Sequence, residues 1–224
     1  VAAADGYDVH LHTGSRRADL ERTAQRLHDA HGVTVVPHVV DLRSPTAIQA
    51  WAQRLRARPP ELIVNNASCF PPPSDAHRWD VVRDALALHV LAPNELATVL
   101  PGRGHIVNVL DARLPLHDGA RTGYEVAKHA LAALTLIHAR QLAPAIRVNA
   151  LAPGLVLPPV NGDRDLWQLA AYRAPLQRPA VMEDLGAALR FLDHAPSVTG
   201  QILYIDSGEH LGPPARDEQP TAIT

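Results

Sequence analysis

Ile106-Val107-Asn108-Val109-Leu110-Asp111, followed by Gly123-Tyr124-Glu125-Val126-Ala127-Lys128-His129-Ala130-Leu131, is the stretch that decides how this chain folds. The first segment is an apolar run ending on a carboxylate, the pattern of a strand covered on both faces. The second is helical in pattern and carries Tyr124 and Lys128 four residues apart. On a helix that spacing stacks both side chains on one face, one turn apart. An ammonium beside a tyrosine stabilises phenolate over phenol and lowers its pKa from about 10. A tyrosine tuned in this way passes a proton near neutral pH. Alone, a tyrosine and a lysine at this spacing form a plain surface pair far more often than a catalytic one, so the surroundings decide.

Outward from this stretch, short β-branched runs alternate with longer helical patterns. Strands are predicted at Tyr7–His12, Val33–Val40, Leu62–Asn66, His105–Leu110, Ile146–Leu151 and Gln201–Ile205. Helices are predicted at Arg16–Ala30, Pro45–Ala57, Asp75–Leu100, Tyr124–Leu142, Asp165–Tyr172 and Glu183–Leu192. Strand–helix alternation with apolar strands implies an α/β fold built on a doubly wound parallel sheet, a Rossmann fold. Residues 1–211 read as one domain, and 212–224, with Pro213, Pro214 and Pro220, as a loose tail. Val1–Gly6 reads as the end of a first helix and Tyr7 onward as the second strand of such a sheet. The opening strand and its glycine-rich turn are missing, so the sheet is expected to be N-terminally incomplete. The absent strand would lie in the middle of the sheet, leaving its neighbours unpaired.

The 224 residues are 46% hydrophobic with a formal net charge of -2, enough for one substantial core and without the basic footprint of a nucleic-acid binder. No apolar run approaches the roughly 20 residues of a membrane span. One cysteine, Cys69, excludes an internal disulfide and a thiolate metal cluster, and the thirteen histidines show no ligand spacing. The expectation is a cytoplasmic, metal-free protein with neither nucleic acid nor membrane as partner.

The markers then fall in order. Asp41-Leu42, Asn65-Asn66-Ala67, Asp111, Tyr124 with Lys128, Arg147-Val148-Asn149 and Pro153-Gly154 together resemble the short-chain dehydrogenase/reductase family over essentially the whole length. Two details resemble its pteridine reductase branch. Most members carry a serine where this chain has Asp111, thirteen residues before Tyr124, and pteridine reductases carry an aspartate. Asn65-Asn66-Ala67-Ser68-Cys69-Phe70 also departs from the family's Asn-Asn-Ala-Gly in the direction of that branch, whose phenylalanine packs on the pterin ring. The closing Thr199-Gly200-Gln201-Ile202-Leu203-Tyr204-Ile205-Asp206-Ser207-Gly208 is similar to that branch and to dihydromonapterin reductases.

The resemblance implies catalytic roles for Asp111, Tyr124 and Lys128, substrate contacts from Ser68 and Phe70, and a homotetramer. A pterin C=N bond gains hydride on carbon and a proton on nitrogen, which a carboxyl group beside the tyrosine can relay. An ionised aspartate raises the tyrosine pKa against Lys128, so the two titrate as a coupled unit. Asp111 could instead cap the strand end or pair with Arg113, and Phe70 could simply pack its loop. His89 stands where the family has a helix asparagine, and its charge is expected to change near neutral pH. Leu131, Leu134 and His138 form a stripe that suits either a subunit interface or the core.

For the cofactor, the end of the second strand reads His12-Thr13-Gly14-Ser15-Arg16-Arg17, with two arginines where an NAD enzyme places an acid. Guanidinium forks suit a 2′-phosphate, so NADPH is the expected cofactor, bound through Ser15, Arg16 and Arg17 unless these are merely solvated. By resemblance Asp41 and Leu42 would contact the adenine, Asn65 and Ala67 the ribose and backbone, and Lys128 the nicotinamide ribose. Pro153 and Gly154 would line the nicotinamide pocket. The expected activity is NADPH-dependent reduction of a pterin-like substrate. A generic ketone reductase and a non-catalytic nucleotide-binding relative are the alternatives.

Overall fold

Among the described residues, six strands form where β-branched and apolar residues run together: β1 (Val9–Thr13), β2 (Val35–Val39), β3 (Leu62–Asn65), β4 (Gly104–Val109), β5 (Ile146–Pro153) and β6 (Ile202–Ile205). Six α-helices among the described residues follow the longer patterns: α1 (Arg17–His31), α2 (Pro45–Leu55), α3 (Trp79–Leu86), α4 (Ala92–Ala97), α5 (Thr122–Gln141) and α6 (Met182–His194). The computed structural model describes residues 1–117, 119–158, 165, 168, 172 and 174–212. Trp167, the 165–172 segment as a helix and the tail beyond Gly212 lie outside the described residues.

Local chemistry sets the helix boundaries. Ser44 caps α2 by accepting the Ala47 N–H, with Pro45 at the first helical position where its missing N–H costs nothing. Gly32 ends α1 at φ 69°, a left-handed conformation that a side chain would resist.

All strand pairs are parallel, in the orders β1-β2 and β3-β4-β5-β6. Helices cover both faces of the larger sheet, which makes it doubly wound. On one face Leu131 of α5 packs with Leu110, Leu114, Ala150 and Ala152. On the other, Leu192 of α6 packs with Val107 and Leu151. A third cluster joins Trp51 and Leu55 of α2 and Leu96 of α4 to Ile106 and Val148. The α/β parallel-sheet expectation is met, but the sheet is in two pieces. Val64 on β3 is 40% exposed, although an interior strand of a single sheet would bury it.

Val1–Gly6 holds one 3-10 turn, Ala2–Asp5, closed by Gly6 in the left-handed conformation, as a helix end is. One expectation changes. The long helix at Asp75–Leu100 is broken into the 3-10 turn Pro73–Asp75, α3, a π-helical turn at Ala87–Leu91, and α4. Pro93 explains the π turn. Its ring has no N–H for the His89 carbonyl and would clash with it in an α-helix, so the backbone widens and Ala92 N–H reaches back five residues to Ala87 O. Of the two readings of the Leu131–Leu134–His138 stripe, the core one holds for Leu131 (1% exposed) and His138 (6%), which turn inward, where His138 meets Asn94 at 3.2 Å.

Candidate active site

The carboxyl ends of β3 and β4 and the first turns of α5 bring the central residues together, and a buried polar chain holds these elements in register. Asn65 and Asn108 are direct neighbours across the β3–β4 ladder, and Asn65 Nδ2 donates to Asn108 Oδ1 at 2.8 Å. Asn108 Nδ2 donates to Thr135 Oγ1 at 2.9 Å, and Thr135 donates to Leu131 O within α5 at 2.8 Å. Asn108 and Thr135 are buried, so each unmade bond here would cost about 1–3 kcal/mol. Sequence reasoning missed both. Their signal was a polar residue within a strand and another on the helix's inward face.

Asp111 follows β4 and faces Tyr124, whose hydroxyl donates to Asp111 Oδ2 at 2.7 Å. Arg113 binds the same carboxylate through Nε at 3.2 Å, a terminal nitrogen at 3.0 Å and its backbone N–H at 2.8 Å. Asp111 is therefore at once the partner of the tyrosine and the partner of Arg113. Burial works against ionisation of Asp111, but the Arg113 bonds and charge outweigh it and hold the carboxyl below its usual range. Tyr124 is 7% exposed, and burial with the adjacent Asp111 charge pushes its pKa well above that of a free phenol. The pair thus rests as carboxylate plus phenol, with one shared proton between them.

Lys128 lies on the same face of α5, its ammonium 5.7 Å from the Tyr124 ring centroid and donating to Val109 O at 2.7 Å. Burial brings its pKa down to about 8, although the charge of Asp111 opposes the fall. A cleft is bordered by Asp111, Arg113, Leu114, Tyr124 and Lys128.

His89, delivered by the π turn, stands edge-on to Tyr124 with ring centroids 5.7 Å apart. Its Nε2 lies 3.9 Å from Cys69 Sγ, while Nδ1 is buried with no partner among the described residues. Burial, with the Lys128 charge, lowers its pKa to about 3. The expectation of a charge change near neutral pH is corrected: this imidazole stays neutral because too little water reaches it. Burial raises the Cys69 pKa, which keeps the thiol protonated and unreactive.

Phe70 is 54% exposed at the mouth and meets Tyr124 edge-on at 5.0 Å. Arg121 lies over its ring at 4.0 Å and Arg113 at 5.5 Å. Arg121 was missed in sequence, and Arg113 was read only against Asp111, because only the fold carries the β3 loop to the start of α5. Ser68 and Ala67 are exposed beside Phe70. Pro153 ends β5, and Gly154 follows where the chain passes close to Asp206 and Glu209: a Cβ would lie 2.7 Å from Glu209 Oε2 and 2.9 Å from Asp206 Cα. Burial raises the Glu209 pKa, making a second carboxyl beside this pocket that the sequence did not reveal.

At the carboxyl end of β1, Ser15, Arg16 and Arg17 are all exposed. Arg17 makes a loose ion pair with Glu21 at 3.5 Å, whereas the Arg16 guanidinium has no partner among the described residues. This donor set, hydroxyl and guanidinium with no competing acid at the strand end, fits a phosphate on a nucleotide ribose. Asp41 is held ionised by Arg43 at 2.9 Å, and Leu42 is buried below it. Among the described residues no group of acids, histidines and cysteines is arranged to hold a metal, and no helix is long and apolar enough to cross a membrane.

The chain is similar to reductases of several substrates. It is 31% identical over 93% of its length to the protein designated ketoacyl reductase 2 of the granaticin polyketide synthase of Streptomyces violaceoruber, covering 88% of that protein. It is 28% identical to the dihydromonapterin reductase of Citrobacter koseri over 76% of each chain. Among solved structures, alternative dihydrofolate reductase 1 (FolM) of Brucella suis, in complex with NADP, superposes with a TM-score of 0.85 at 29% identity, over 97% of this chain and 89% of that one. Residues 1–210 match the family model described as Enoyl-(Acyl carrier protein) reductase. With strand-end markers, parallel sheet and Tyr124–Lys128 helix in place, this match across nearly the whole chain makes the protein a member of the short-chain dehydrogenase/reductase family.

Proposed function

We propose that the protein is an NADPH-dependent reductase of dihydropterins. The observation that carries this reading is the 2.7 Å hydrogen bond from Tyr124 to the Asp111 carboxylate. A ketone oxygen needs only a neutral donor beside the tyrosine. A pterin presents ring nitrogens and an amino group that both donate and accept, and a carboxylate matches their N–H groups. The similarity to dihydromonapterin reductases and to FolM supports the same substrate class.

NADPH, when bound, supplies the hydride to a carbon of the pterin C=N bond. Arg16 and Arg17, with Ser15, would hold its 2′-phosphate, Asp41 and Leu42 its adenine, and Asn65 and Ala67 its ribose and backbone. Lys128 would hold the nicotinamide ribose, and Pro153 and Gly154 would border the nicotinamide. Substrate N–H groups take over the Asp111 carboxylate, freeing the Tyr124 hydroxyl to protonate the ring nitrogen. The Lys128 ammonium and the Arg113 guanidinium offset the negative charge left on the phenol, which is restored from solvent. Phe70 and Ser68 border the ring. His89 is a fixed neutral wall behind Tyr124. Assembly into a homotetramer belongs to the same proposal; the outer face of α5 exposes Val126, Leu136 and Ile137.

A second reading, reduction of a ketone with Asp111 incidental, is favoured by the 31% identity to a ketoacyl reductase. NADPH oxidation by the full chain, with a dihydropterin and with a simple ketone, separates the two when repeated on Asp111→Ser. Turnover of the dihydropterin that collapses in the variant is the expected result. Ketone turnover that survives the substitution, with no pterin turnover, would establish the second reading.

A further inference from the structure

Two arginines flank Phe70, and they differ in how their charge is spent. Arg113 gives the Nε and Nη2 edge of its guanidinium to the two oxygens of Asp111. Arg121 lies flat over the phenylalanine at 4.0 Å and donates Nε–H to Pro71 O at 2.9 Å. Its two terminal amino groups have no partner among the described residues. Glu125, the acid in the first turn of α5, is turned to backbone, accepting from Gly119 N–H at 3.3 Å and Arg121 N–H at 3.5 Å. A guanidinium held by a ring stack and by its Nε has lost most of its conformational freedom before any ligand arrives. The edge left open carries parallel N–H donors, the geometry that takes a carboxylate or phosphate through two oxygens. Phe70 in turn meets Tyr124 edge-on at 5.0 Å, so an oxyanion on Arg121 would lie one aromatic ring away from the reacting phenol.

We propose that Arg121 is a specificity-determining residue that binds an anionic tail, carboxylate or phosphate, on the molecule whose ring is reduced at Tyr124. The inference rests on the pterin reading for the identity of the ring, and on Arg121 for the tail. The preferred substrate is then a reducible ring carrying an acidic substituent, and a neutral side chain leaves the guanidinium unused.

The test is steady-state kinetics with NADPH on the full chain and on Arg121→Ala, Arg121→Lys and Arg121→Glu. Dihydrobiopterin serves as the neutral substrate, dihydrofolate as the carboxylate-tailed one and dihydroneopterin monophosphate as the phosphate-tailed one. In Arg121→Ala the KM for an anionic substrate rises about ten- to a hundredfold, as expected for a lost charge-assisted bond, while kcat holds. Arg121→Lys recovers part of the loss, Arg121→Glu deepens it, and KM for dihydrobiopterin stays within about twofold. Whichever anionic substrate loses more identifies the tail. Equal losses on neutral and anionic substrates, or no loss on either, overturn the proposal. If ketones but no pterins turn over, the pterin reading falls by itself. Arg121 is then judged on a 3-keto acid against its methyl ester, where a loss confined to the acid supports its role and an equal or absent loss refutes it.

Discussion

At the carboxyl end of β4, Asp111, Tyr124 and Lys128 are mostly withdrawn from water, and each has a hydrogen-bond partner within the protein. At the carboxyl end of β1, Ser15, Arg16 and Arg17 are exposed, and among the described residues only Arg17 has a side-chain partner, a loose one. The first region belongs to the four-stranded sheet and is fastened across three elements by the Asn65–Asn108–Thr135 chain. The second belongs to the two-stranded sheet. The contrast separates two ways of using charge. Where a proton must move, geometry and pKa are set by burial and fixed partners; where an anion is to be held, open guanidiniums in water suffice.

The comparison breaks most sharply at Tyr124. Tyr124→Phe is expected to lower kcat/KM by about 10²- to 10⁴-fold, the usual worth of a positioned proton donor, with Kd for NADPH unchanged by fluorescence titration. An intact rate would remove Tyr124 from the chemistry. Next in size, Asn108→Ala leaves buried partners on β3 and α5 unpaired and should cost about 1–3 kcal/mol in urea unfolding. Arg16→Ala, on the surface, should change the unfolding midpoint hardly at all.

Lys128 sharpens the contrast through pH. Its folded pKa of about 8 lies below its value of 10.5 when unperturbed, so the fold favours the neutral amine. Activity that needs the ammonium should fall as pH rises through about 8. The stability penalty of burying that charge should lift over the same climb and be gone by about 10.5. Opposite slopes in rate and in thermal midpoint, both flattened in Lys128→Met, are the expected outcome. Parallel slopes would mean that another group controls the rate. The smallest effect is expected at the open end: Arg16→Ala with Arg17→Ala should raise KM for NADPH about tenfold, leave KM for NADH unchanged, and lose its effect in high salt.

Much of this was legible in sequence because it depends on short-range periodicity. All six strands fall within two residues of their expected ends, and α1, α2, α5 and α6 likewise, since apolar runs and helical stripes report local conformation. The Tyr124–Lys128 spacing needed only a helix to put both residues on one face. The break at Ala87–Leu91 was missed, although Pro93 was visible, because widening into a π turn depends on how the flanking helices pack. His89 was read as a titrating group from its intrinsic pKa, and desolvation by surrounding apolar residues reversed that.

The sequence by itself determined the α/β class, the order of the strand-end markers and the choice of chemistry-bearing side chains, because these follow from neighbours along the chain. Only the tertiary structure decided that Asp111 serves Tyr124 and Arg113 at once, that Arg121 comes over the distant Phe70 with its fork left open, and that Leu131 and His138 turn inward. Those outcomes depend on which distant segments meet and how much water remains between them, and burial decides both pKa and pairing.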